Sequence, residues 1–96
     1  MALTDADKRA LKRAIADDSV SSVVITTLGT GSATALTDRQ QFALGKIFPN
    51  KVVLASVVAA FGTGSALSDR AIRMLKHAVG SRLHGNNIAT EINALS

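Results

Sequence analysis

Ala2-Leu3-Thr4-Asp5 returns as Ala35-Leu36-Thr37-Asp38, and again as Ala66-Leu67-Ser68-Asp69. The residues that follow stay in register, with Leu11, Leu44 and Leu75 at one equivalent position and Ile15, Phe48 and Val79 at another. A period of about 30 residues is the length of one supersecondary unit copied along a chain. The sequence therefore reads as a single domain of three αα-hairpin-like repeats, approximately 2–34, 35–65 and 66–96.

Each copy opens with a helix-start signal. Thr4, Thr37 and Ser68 can accept a hydrogen bond from a first-turn N–H that otherwise lacks a partner, and Asp5, Asp38 and Asp69 place negative charge at the positive end of the helix dipole. Asp7 and Gln40 stand three residues after their caps, the spacing of a capping box. The apolar residues that follow have helical spacing: Ala10, Leu11, Ala14 and Ile15 share one face of the first copy, and Lys8, Arg9, Lys12 and Arg13 the other. Met74, Leu75, Ala78 and Val79 do the same in the third copy, opposite Arg73, Lys76 and His77.

A second element follows in each copy. The register aligns Val24, Val57 and Ile88, then Leu28, Phe61 and Ile92, then Gly29, Gly62 and Asn93, the last set reading as left-handed helix stops. The run Val23-Val24-Ile25-Thr26-Thr27 is β-branched and also suits a strand. Its counterpart holds the better helix formers Leu54, Ala55, Ala59 and Ala60, with Asn50 placed as an N-cap after Pro49. These readings predict an all-α bundle of about six short helices near 5–17, 20–28, 38–48, 51–61, 69–83 and 87–94. The alternative is an α+β fold with strands near 20–28 and 51–60. The last element is expected to be short and polar, as in a terminal capping repeat.

Composition narrows the function. Only 3% of residues are aromatic although 47% are hydrophobic, so the core is built from small aliphatic side chains. The absence of cysteine excludes disulfides and thiolate metal sites. The charged start lacks the apolar core of a secretory signal, so a cytoplasmic location is expected, or the virion if a phage encodes the chain. Two uncharged stretches, 19–37 and 52–68, approach the length of a membrane span, but their internal Gly, Ser and Thr favour a buried hairpin.

The glycine-rich Gly29-Thr30-Gly31-Ser32 and Gly62-Thr63-Gly64-Ser65 lack the Lys-Ser or Lys-Thr pair of a phosphate loop and read as linkers. His77 lies among cations and His84 in a Gly-Asn-rich turn, and neither assembles with a nucleophile and an orienting acid. No enzyme activity, cofactor, metal or small-molecule substrate is expected. The net charge of +4 points to an acidic partner. Lys8, Arg9, Lys12 and Arg13 with Arg70, Arg73, Lys76 and Arg82 form the candidate polyanion-binding set. The middle copy breaks this pattern, since Phe42 and Gly45 replace basic residues; Phe42, Gly45 and Phe48 are the candidate interaction surface. The leading expectation is a non-enzymatic structural or assembly protein, a homo-oligomer or part of a larger complex, such as a small bacteriophage virion component. The alternative is a sequence-nonspecific nucleic-acid-binding protein, with a membrane-active hairpin behind both.

Overall fold

The computed structural model describes residues 3–96, and among these residues it holds six α-helices and no strand. They are α1 (Asp5–Ala14), α2 (Asp18–Thr30), α3 (Asp38–Ile47), α4 (Lys51–Thr63), α5 (Asp69–Val79) and α6 (Arg82–Asn93). The strand alternative is overturned at both places. In α2, Val20, Val24, Thr27 and Leu28 are buried while Ser22, Val23 and Thr26 are exposed, the 3.6-residue period of a helix packed on one side. Each β-branched residue costs the helix only a few tenths of a kcal/mol, and the burial of that face outweighs the sum.

The helix starts follow the chemistry of their caps. Thr4 and Asp7 form a reciprocal capping box on α1, as do Thr37 and Gln40 on α3. Ser68 caps α5 through the N–H of Ala71, and Asn50 caps α4 through Val52 and Val53. Two starts differ from the sequence reading. Asp17 accepts from the Ser19 N–H at 3.0 Å, so α1 stops at Ala14 and α2 begins at Asp18. Ser81 accepts from the His84 N–H at 3.3 Å, so α6 begins at Arg82 and includes His84 instead of leaving it in a turn. Gly80 takes the left-handed conformation (φ 71°) that ends α5, well before residue 83.

Helix ends also move. The left-handed stops of α2 and α4 are Gly31 and Gly64, with Gly29 and Gly62 still helical. Asn93 is the last residue of α6, and its side-chain oxygen accepts from the Leu67 N–H at 2.8 Å. At 12 residues α6 is close in length to α2 and α4, at 13 each, and not the short element expected. It does not cap an open stack. Each helix packs on the next, and α6 packs back on α1, so the chain closes into a ring of six with extents of 27 × 27 × 25 Å. The α5–α6 hairpin touches both α1 and α4.

Leu11, Val24, Leu44, Val57, Phe61, Leu75, Ile88 and Ile92 converge at the centre of the ring, with Ile15 and Phe48, around an apolar void of about 20 Å³. Leu3, Leu36 and Leu67, each just before a helix cap, are buried too. The C-terminus fastens the linkers to this core. Ala33 donates to the Ser96 carbonyl at 3.0 Å, Ser96 donates to that of Gly31 at 3.2 Å, and Thr34 donates to that of Phe61 at 2.7 Å.

Close approach explains one further glycine. A Cβ on Gly85 would lie 2.7 Å from the Cα of Lys76, so the α5–α6 crossing requires glycine there. Gly85→Ala is expected to cost about 1–3 kcal/mol through overpacking, read as a lower urea midpoint with unchanged slope. The two helix stops make a graded pair. Nothing lies near a Cβ on Gly31, whereas one on Gly64 would meet the Leu95 carbonyl oxygen at 2.8 Å. Gly31→Ala should cost about 1–2 kcal/mol, the left-handed penalty alone, and Gly64→Ala measurably more by the same titration.

Candidate interaction surfaces

The basic residues lie where the periodicity places them. Arg9, Lys12 and Arg13 are exposed on the arc of α1 away from Ala10 and Leu11, and Lys8 is half-buried at the edge of that arc, on the side of Ile15. Arg70 and Arg73 are exposed on α5, together with His77, and Arg82 is exposed at the start of α6. Lys76 is half-buried, with its stem against Gly85. Because α1 packs directly on α5 and α6, the two groups sit on adjoining helices.

Among the described residues none of these eight cations makes an ion pair. The acids are engaged elsewhere. Asp5, Asp18, Asp38 and Asp69 sit in the first turns of their helices. Asp17 holds Arg39 at 3.0 Å. Hydrogen bonds from Ser19, and then from Arg39, lower the Asp17 carboxyl to about 2.

The structure separates Phe42, Gly45 and Phe48. Phe48 is 2% exposed and lines the central core. A Cβ on Gly45 would touch Leu54 at 3.4 Å, so this glycine faces α4. Phe42 alone is on the surface, 71% exposed, with the Lys46 ammonium 5.1 Å from its ring centroid, within cation–π range. The helical period accounts for the split: in α3, Phe42 lies about 200° around the axis from Leu44, whereas Phe48 lies close to Leu44's side. Phe42 borders a cleft of about 310 Å³ between the end of α1 and α3, with Ala14, Ala43 and Ile47 among its lining and Asp17, Arg39 and Lys46 as its charged groups.

One cluster has no precedent in the sequence reading. Asp7, 1% exposed, is the N3 residue of the α1 capping box, yet its carboxylate also faces α6. Its Oδ1 lies 2.6 Å from Nδ1 of His84, and Asn87 donates to both oxygens at 3.4 and 3.5 Å. With Asp7 ionised, His84 carries its proton on Nδ1 and donates it. The signal available in sequence was a capping aspartate with a short side chain. Its partners, 77 and 80 residues away, were not.

Burial opposes ionisation of Asp7, but the hydrogen bonds from Thr4, His84 and Asn87 prevail and hold the carboxyl below its ordinary value. A depressed carboxyl contributes stability that is full above its unfolded value and is lost as pH falls through the folded one. Asp7→Asn is therefore expected to cost about 1–3 kcal/mol at neutral pH, with the deficit shrinking under acid. Urea denaturation followed as a function of pH measures this; an equal deficit at neutral and acid pH would assign the loss to packing instead.

The glycine-rich linkers spend their N–H groups within the fold: Gly31 donates to Thr27, Gly64 to Ala60 and Ser32 to the Thr30 hydroxyl. Among the described residues no three His, Cys, Asp or Glu side chains group as a metal ion requires. No described helix is long and apolar enough to cross a membrane. Comparison of the chain with protein-family models, curated proteins and solved structures returned no match.

Proposed function

We propose that the chain is a non-enzymatic structural subunit that acts by packing against copies of itself within a larger assembly, of which a bacteriophage particle is one example. The outer face of α4 carries this reading. From Val52 to Ser68 no residue is charged, and in α4 the exposed positions Lys51, Val52, Ala55, Ala59 and Thr63 lie along one side, with charge only at Lys51 in the first turn. Val52 is 71% exposed. A helix with so little polar surface on its outer side belongs under a neighbour, and here α3, α5 and α6 cover only its inner side.

A second copy suits this face because, past Lys51 at its end, a surface of small uncharged residues can approach its own image without desolvating charge. The size of the chain adds to this, since a domain of 96 residues gains stability when association buries further apolar surface.

Sedimentation equilibrium across a concentration series tests the proposal. The unaltered chain should exceed monomer mass, and Ala55→Glu with Ala59→Glu should return it to monomer while leaving its helical circular dichroism intact. A monomer at high concentration, or an oligomer indifferent to both substitutions, would remove the α4 face from consideration.

A further inference from the structure

We propose that the outer faces of α1 and α5, together with Arg82, form a docking surface for the phosphate backbone of duplex nucleic acid. The inference is independent of self-association through α4 and rests on separate residues.

Charge placement is the first support. Arg9, Lys12 and Arg13 occupy the outward arc of one helix with half-buried Lys8 at its edge, Arg70 and Arg73 occupy that of its neighbour, and none is neutralised by an ion pair among the described residues. The acids on these arcs, Asp5 and Asp69, stand at the helix starts, where the dipole already favours them. His77 adds a hydrogen-bond donor beside Arg73 and Lys76, and the groove it shares with Lys76, Gly80, Ser81 and Arg82 holds about 450 Å³.

Charge density is the second. Residues 8 to 13 rise about 7.5 Å along a helix, and a duplex carries about four phosphates over that axial length. About two of those phosphates belong to each strand, so the cations of α1 together with those of α5 can neutralise the charges on the facing side, and the released counterions drive association.

The chemistry of the face selects this partner over other polyanions. An anionic membrane surface is held by a basic helix that also inserts an apolar face; in α1 and α5 the apolar faces are committed to the core through Leu11 and Leu75, and Leu83, exposed beside Arg82, is one side chain and not a face. Single strands are held by stacking on aromatic side chains, but Phe48 and Phe61 are buried and Phe42 lies on α3 under Lys46. Phosphate contact without base stacking or insertion is what duplex binding requires, and it carries little sequence preference.

Fluorescence anisotropy with a random-sequence DNA duplex tests the proposal. Affinity should fall about 10³-fold between about 50 and 200 mM salt. Replacing Lys8, Arg9, Lys12 and Arg13 by alanine should reduce the log–log salt slope by about 3–4, since each phosphate contact contributes about 0.9. Arg9→Lys with Arg13→Lys should retain binding. Lys12→Ala with Arg13→Ala should weaken it far more than Lys46→Ala with Lys51→Ala, which removes the same charge elsewhere. Circular dichroism establishes that each variant is folded. No binding at low salt, equal losses from the two charge-matched pairs, or stronger binding to vesicles containing phosphatidylserine than to the duplex would each overturn the proposal.

Discussion

Six helices of 10 to 13 residues have to share one core, because helices of that length are marginal in water on their own. That constraint governs the molecule. Every helix sends at least one side chain to the central junction around Leu44, Val57 and Ile88, and the ring closes when α6 reaches α1. Few aromatic rings are available to fill space, so the helices approach closely, as Gly85 against Lys76 shows. Phe48 and Phe61 are the largest side chains fully buried.

Closure draws polar chemistry inward at one point. Asp7 begins as a local capping residue and ends as the acceptor that joins the first helix to the last. A buried carboxylate is tolerable only with its oxygens satisfied, and Thr4, His84 and Asn87 meet that need. The same residue therefore sets a helix start and marks where the ring shuts. The C-terminal backbone does related work on the other seam, pairing with Gly31 and Ala33.

The charge distribution follows from how the helices begin. Aspartates are concentrated in first turns and caps, where backbone N–H groups and the dipole stabilise them, and among the described residues the lysines and arginines of α1 and α5 make no ion pair. The outer side of α4 has the opposite character, with no charge after Lys51 until Asp69. α4 packs on α5 and α6, which in turn pack on α1. The basic arcs of α1 and α5 and the outer stripe of α4 are thus separate surfaces on neighbouring helices, the two surfaces proposed above for a polyanion and for a second copy of the chain.

Much of this was legible before any coordinates. The caps at Thr4, Thr37, Asn50 and Ser68, the buried leucines at 11, 44 and 75, and the outward cations of α1 follow from local hydrogen bonding and a 3.6-residue period, both properties of a few consecutive residues. Even the β-branched run of α2 could be assigned through its counterpart in α4. What remained open depended on groups far apart in the chain. Gly29 and Gly31 are equally able to stop a helix, and the choice fell on Gly31, where the C-terminal Ser96 meets the linker. Phe42 and Phe48 look alike in composition, but packing against α4 and α6 buries one and leaves the other in solvent. The attachment of Asp7 to His84 is likewise tertiary. Sequence determined where α1, α3, α4 and α5 begin and which faces are apolar, because those depend on neighbours along the chain; only closure of the ring decided which polar groups, glycines and aromatic rings end inside it.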